Sequence, residues 1–142
     1  MPNLVFNKGY KEYDVNGDKE RVIRVYTSDW NIIQRIASLR ERIAARVRSL
    51  QQLRDEDGFD EVMNRLNAVE REVRSEIDTA FGSPVSDAAF GEVNCLSFAG
   101  GQPIALNFLE AILPEIQKDL EAETEQAHQR ISKYTDAAKR FD

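Results

Sequence analysis

The chain has 142 residues, 19 Lys and Arg against 25 Asp and Glu, a net charge of −6 and one cysteine, Cys95. This length fits one domain with a modest core, and 42% hydrophobic with 31% charged residues fits a folded rather than a disordered chain. The acidic balance argues against a general nucleic-acid binder or a polybasic membrane anchor, and a single cysteine excludes an internal disulfide framework and a cysteine-based metal cluster.

No apolar run approaches the roughly 18 residues of a bilayer span. Met1-Pro2-Asn3-Leu4 carries neither the basic nor the long apolar region of a secretory signal, so the expectation is a cytoplasmic domain. Strand character is confined to the residues before 27. Leu4-Val5-Phe6 is a short apolar run, broken by Asn7-Lys8-Gly9. Tyr10 to Val15 and Arg21 to Tyr26 then flank Asn16-Gly17-Asp18, a strong hairpin signal. A two-residue loop would set Val15 opposite Asp18 and Tyr13 opposite Glu20. A three-residue loop places Tyr13 and Val15 on the face of Ile23 and Val25, and this gathering of apolar side chains favours it.

The first helix is expected to start near Thr27-Ser28-Asp29, whose side chains can accept first-turn amide protons. Ile32, Ile36, Leu39, Ile43, Val47, Leu50 and Leu53 recur at three- and four-residue spacing, and Asp55-Glu56-Asp57-Gly58 breaks the pattern. The second helix carries Phe59, Val62, Leu66, Val69, Val73, Ile77 and Ala80, and Gly82 stops it. So short a connection predicts an antiparallel helical hairpin. Between residues 31 and 54 there are six arginines and one acid, Glu41. Arg35, Arg42 and Arg46 flank the stripe on one side and Arg40 on the other. Glu61, Glu70, Glu72, Glu76 and Asp78 of the second helix offer the opposite charge, each exposed pair being worth about 0.2–1 kcal/mol.

Ser83-Pro84 reads as a cap and first helical position, opening a short helix to Phe90 that ends at Gly91. Glu92 to Gln102 reads as an anchored loop. A last helix starts near Pro103, presents Leu106, Leu109, Leu113, Ile116 and Leu120, and is expected to kink at Pro114. Beyond Leu120 the chain is polar, with Ile131, Tyr134 and Phe141 scattered through it. The fold class is thus mostly α with a small N-terminal β-hairpin (α+β). Residues 1–120 form a single domain, with a hairpin region at 1–27 and a helical region at 28–120, and 121–142 form a polar C-terminal helical extension.

Catalytic chemistry finds little footing. His128, the one histidine, lies among polar helical residues and cannot build a multi-histidine metal site. Cys95 reads as a buried structural thiol. Neither acidic turn matches a calcium loop: Leu53 and Ile23 occupy positions that need oxygen ligands. Gly100-Gly101-Gln102-Pro103 lacks the lysine and hydroxyl of a phosphate loop. The expectation is no enzyme activity, no cofactor and no metal.

Partner binding is better supported. Two long amphipathic helices and a small hairpin carry more apolar edge than a chain this size readily buries, and the strand edges can pair with another copy or a partner strand. Leu109, Ile112, Leu113 and Ile116 surround Pro114 as a docking groove, although Leu109 and Leu113 read more readily as core. Arg35, Arg42 and Arg46 would bind phosphate only if their face stays open, and no aromatic side chain is interleaved with them for base stacking.

A hairpin from Tyr10 through Tyr26, then Ser28-Asp29-Trp30, Ile77-Asp78, Phe81-Gly82, Phe90-Gly91 and Asn107-Phe108-Leu109-Glu110-Ala111-Ile112 form a series. In this series the chain resembles the small tail assembly chaperones of long-tailed bacteriophages and prophages of Gram-positive hosts. The resemblance covers about residues 3 to 120, and the arginine-rich first helix and the extension after Leu120 depart from the family pattern. It implies a non-enzymatic chaperone of the host cytoplasm, absent from the finished virion. Such a protein coats the long helical tape measure protein and recruits tail tube subunits, with self-association along the client. Phe81, Phe90, Phe98 and Leu109 then serve as structural or groove residues, with Ile112, Ile116 and the three arginines as further partner-binding candidates. The competing readings are a structural virion or self-associating helical module, and a nucleic-acid-binding regulator.

Overall fold

The computed structural model describes residues 1–53 and 58–139. The hairpin pairs β1 (Tyr10–Val15) antiparallel with β2 (Asp18–Tyr26). Its loop is Asn16-Gly17, not the expected three residues, and both take positive φ (51° and 78°). That is the mirror-image turn whose twist matches a hairpin and which asparagine and glycine tolerate. Val15 therefore faces Asp18. The register then jumps, leaving Lys19, Glu20 and Arg21 unmatched, so that Tyr13 faces Ile23 rather than Glu20. An irregularity in β2, not the loop length, thus puts Tyr13 and Val15 on the face of the buried Ile23 and Val25.

Helix α1 runs Ile32–Leu50, later than the expected start and ending short of Leu53. Thr27 and Ser28 do not cap it. Asp29 instead folds the chain into the helix, its carboxylate accepting the Asn31 N–H at 3.0 Å and its carbonyl the Ile32 N–H at 3.0 Å. The Asn31 N–H and the Arg35 guanidinium hold the Asp29 carboxyl below its ordinary range. Helix α2 runs Phe59–Phe81 and stops at Gly82, which takes the left-handed conformation (φ 69°) expected of a C-terminal glycine. The acidic break at residues 55–57 lies outside the described residues.

The two helices are antiparallel: Arg35 near the start of α1 donates to the Ala80 carbonyl at 2.9 Å, while Arg46 near its end reaches Glu72 and Glu76. Ile32, Ile36, Leu39 and Ile43 are buried against Val73, Ile77, Ala80 and Phe81. The far end of this pair is half-buried, and Phe59 is 77% exposed, contrary to its place on the stripe. Two helices bury a seam between them, but full burial needs a third layer, and α4 supplies it only at the near end.

Helix α3 (Ser86–Phe90) starts after Ser83-Pro84, which is not its cap. Asp78 of α2 caps it, accepting the Ser86 N–H at 2.8 Å and hydroxyl at 2.9 Å. Ser83 instead donates to the Arg24 carbonyl at 2.7 Å, tying this corner to β2. Within the anchored loop, β3 (Phe98–Ala99) pairs with β4 (Gln102–Pro103), a ribbon too short to show as alternation. Helix α4 runs Ile104–Lys139 through Pro114. Ala105, Leu109, Ile112 and Ile116 enter the core, and every described side chain from Glu121 to Lys133 is exposed. No described helix is long and apolar enough to cross a membrane.

Candidate partner-binding surface

The arginines of α1 are turned to structural use. Arg46 grips Glu72 and, at 2.5 Å, Glu76, and the Glu76 hydrogen bond chiefly raises its pKa above the ordinary arginine value. Arg35 pairs with Asp29 at 2.6 Å as well as with the α2 carbonyl. Arg42 borders the same hollow as Arg35, beside Ser75, Glu76 and Thr79, and has no ion pair among the described residues. An open phosphate-binding face formed by all three is therefore not what the fold presents.

The apolar candidates divide by burial. Phe81 (1% exposed), Phe90, Leu109, Ile112 and Ile116 lie in the core, so they do not form the exposed groove expected around Pro114. The residues that would line it face α1 and the hairpin, because the stripe of α4 is the third side of the core. Phe81 and Phe90 each meet the ring of Phe108, at 5.6 and 5.7 Å between centroids. Phe98 alone among these candidates is a surface residue, at 62% exposure.

Two clusters emerge that the sequence reading did not single out. Arg74 of α2 pairs with Glu70 at 2.5 Å, donates to the carbonyls of Gly91 and Val93 at 2.8 Å each, and lies over the Phe90 ring. Burial works against its charge, but the Glu70 hydrogen bond and the nearby negative charges of Glu70 and Asp87 together outweigh it and hold its pKa above the ordinary value. This side chain anchors the loop after α3. Lysine cannot span the carboxylate and both carbonyls at once, so Arg74→Lys is expected to lower stability by about 1–2 kcal/mol in urea denaturation. Amide exchange should rise first around residues 91–97.

The second cluster joins the hairpin to α4. Asp119 is 6% exposed and accepts from Lys11 at 2.6 Å and from the Tyr13 hydroxyl at 3.4 Å. Its sequence signal was an acid on the apolar stripe, between Ile116 and Leu120. Arg74 had a weaker one, sitting beside Val73 on the edge of the α2 stripe.

Cys95 is fully buried, and burial first, then the Glu70 charge, pushes its thiol up to about 12. It stays protonated at neutral pH and offers no nucleophile. His128 is exposed on α4. Among the described residues no group of His, Cys, Asp and Glu is placed to hold a metal ion.

Large apolar side chains exposed among the described residues include Leu4, Val5 and Phe6 ahead of the hairpin, Trp30, Phe59 at the start of α2, Phe98, and Ile131 on the outer half of α4. Comparison with protein-family models, curated protein sequences and solved structures returned no match for this chain.

Proposed function

We propose that this protein is a non-catalytic assembly chaperone. In this reading a folded body presents the outer half of α4 as an arm that pairs with a long amphipathic helical client. The carrying observation is the exposure of every described side chain from Glu121 to Lys133, on a helix anchored at its base by Leu109, Ile112, Ile116 and Asp119. A solvated helix of mostly polar residues gains little from propensity alone, and packing along a partner supplies what it lacks. Half-buried Leu120, then Ala127 and Ile131, follow one another by seven and four residues and continue the inner stripe of the helix outward on one face. Several copies along one client would add avidity to weak single contacts.

In its specific form, which rests on the resemblance in the hairpin and the Phe-Gly segments, the client is a phage tape measure protein, with tail tube subunits recruited in the bacterial host cytoplasm. The nucleic-acid alternative is less favoured because Arg35 and Arg46 are already engaged by Asp29, Glu72 and Glu76.

Co-expression with the tape measure protein that this reading expects as client, read by native mass spectrometry, tests the proposal. The expected result is a soluble complex carrying several copies, lost on Ile131→Glu with the circular dichroism of the body unchanged. Absence of a complex with the unaltered protein would overturn it. Retention of the protein in purified particles would make it a structural component instead.

A further inference from the structure

The hairpin and α4 leave an open cleft of about 240 Å³ between them. Its floor is apolar, formed by Tyr13, Val15 and Ile23 of the hairpin and by Phe108 and Ile112 of α4. Asp14 and Glu115 stand on its rim, and no basic side chain lines it. The negative potential registers on Tyr13, whose phenol is pushed up to about 12 by burial and then by the charges of Asp119 and Glu115. A cleft of this kind suits an apolar side chain with a cation close by in sequence.

The same chain carries such a segment, its apolar side chains exposed. Leu4, Val5 and Phe6 are 83%, 84% and 65% exposed, and Lys8 follows two residues later. Within one molecule this segment starts from the wrong end of the hairpin. The Ser28 hydroxyl donates to the Gly9 carbonyl at 3.4 Å, and the Lys8 ammonium lies 5.4 Å from the Tyr26 ring. Both contacts sit at the open end, beside the Tyr10–Tyr26 pair, whereas the cleft lies at the turn end. The strand between them spans roughly 17–20 Å, and the chain would have to double back along it.

We propose that the cleft between the hairpin and α4 receives the Leu4–Lys8 segment of a second copy, with the apolar side chains on its floor and Lys8 between Asp14 and Glu115. Reciprocal exchange makes the contact twofold and closed. Exposed apolar surface on the segment and on the cleft is removed from water together, and the rim charges select a basic residue over an acidic one. Among the described residues the segment's own contacts are few and exposed: Lys8 lies against Tyr26, and Asn7 accepts the Gly9 N–H at 2.8 Å. This inference is independent of the arm on α4 and needs no client.

Sedimentation velocity on the purified full chain over a concentration series tests it. The unaltered protein is expected to dimerise. Phe6→Ser and Glu115→Lys are each expected to weaken the dimer by about tenfold or more. All substituted side chains are exposed, so the fold is retained, which circular dichroism checks. Lys8→Glu combined with Glu115→Lys is expected to recover dimerisation relative to either single change. A monomer at every soluble concentration overturns the proposal, as does a dimer indifferent to Phe6→Ser or Glu115→Lys. Failure of the double change to recover what each single change lost overturns the pairing of Lys8 with the rim.

Discussion

Phe81→Ala is expected to lower the free energy of unfolding by about 3–5 kcal/mol, read as a fall in the urea midpoint at unchanged slope. Phe81 is the last residue of α2 and is 1% exposed, with its ring tilted against Phe108, which in turn meets Phe90 edge-on. Truncation removes the ring from the point where α2, α3 and α4 converge. Collapse into the space is resisted on both sides. Gly82 holds the turn after α2 in its left-handed conformation, and Asp78 pins the start of α3 through two hydrogen bonds. A cavity that cannot relax incurs both lost transfer free energy and lost contacts. Phe98→Ala is the control: at 62% exposure its removal should change stability by no more than about 0.5 kcal/mol. A loss below about 1 kcal/mol at Phe81 would contradict the packing described.

Asp119 carries the second large effect. Its side chain is 8% exposed and fastens the hairpin to α4 through Lys11 and Tyr13. Asp119→Ala leaves the half-buried Tyr13 hydroxyl without its acceptor and removes the Lys11 ion pair, and the expected loss is about 1.5–3 kcal/mol. It falls short of a fully buried ion pair because Lys11, 56% exposed, rehydrates when its partner is removed.

The same contact sets a pH dependence. Burial raises the carboxyl pKa, but hydrogen bonds from Lys11 and Thr27 and the Lys11 charge outweigh it, holding the folded value below the ordinary 3.8. The unfolded chain therefore binds this proton more readily. The contribution is complete above the unfolded value and disappears as pH falls through the folded one. Tyr13 acts at the other extreme: raised from 10.0 to about 12, it favours the fold below pH 10 and loses that contribution as pH rises toward 12. Asp119→Asn should flatten the acid limb of the stability curve and Tyr13→Phe the alkaline limb. An acid limb unchanged in Asp119→Asn would rule out Asp119 as its source.

Much of the local architecture was legible in the order of residues. The three- and four-residue recurrence of Ile32, Ile36, Leu39 and Ile43, and of Val73, Ile77 and Ala80, marked the buried faces of α1 and α2. Gly82 marked the end of α2, and Asn16-Gly17-Asp18 the place of the hairpin reversal, though not its two-residue length. The places where the reading departs from the structure share one cause. Ser83-Pro84 has the composition of a cap, yet Asp78, a turn and a half earlier on another helix, does the capping. The hairpin loop has two residues because Asn16 and Gly17 suffice for the reversal, and the apolar face is recovered by the register jump in β2. The partner-binding candidates Phe81, Phe90, Leu109, Ile112 and Ile116 proved to be core.

Periodicity reports which side chains share a face, because backbone geometry sets that face over a few residues. It does not report whether another element covers the face. The sequence by itself determined the helices, their apolar stripes, the places where the chain reverses and the acidic balance, all of which follow from local conformational preference and composition. Only the tertiary structure decided that the stripe of α4 seals the core, that Phe59 and the arm after Leu120 stay outside it, and that Arg46 is spent on Glu72 and Glu76. It likewise brought Lys11 to Asp119 across most of the chain and Arg74 to the carbonyls beyond α3. Those contacts depend on where distant segments come to rest, and burial, charge pairing and accessibility are properties of that arrangement rather than of any one segment.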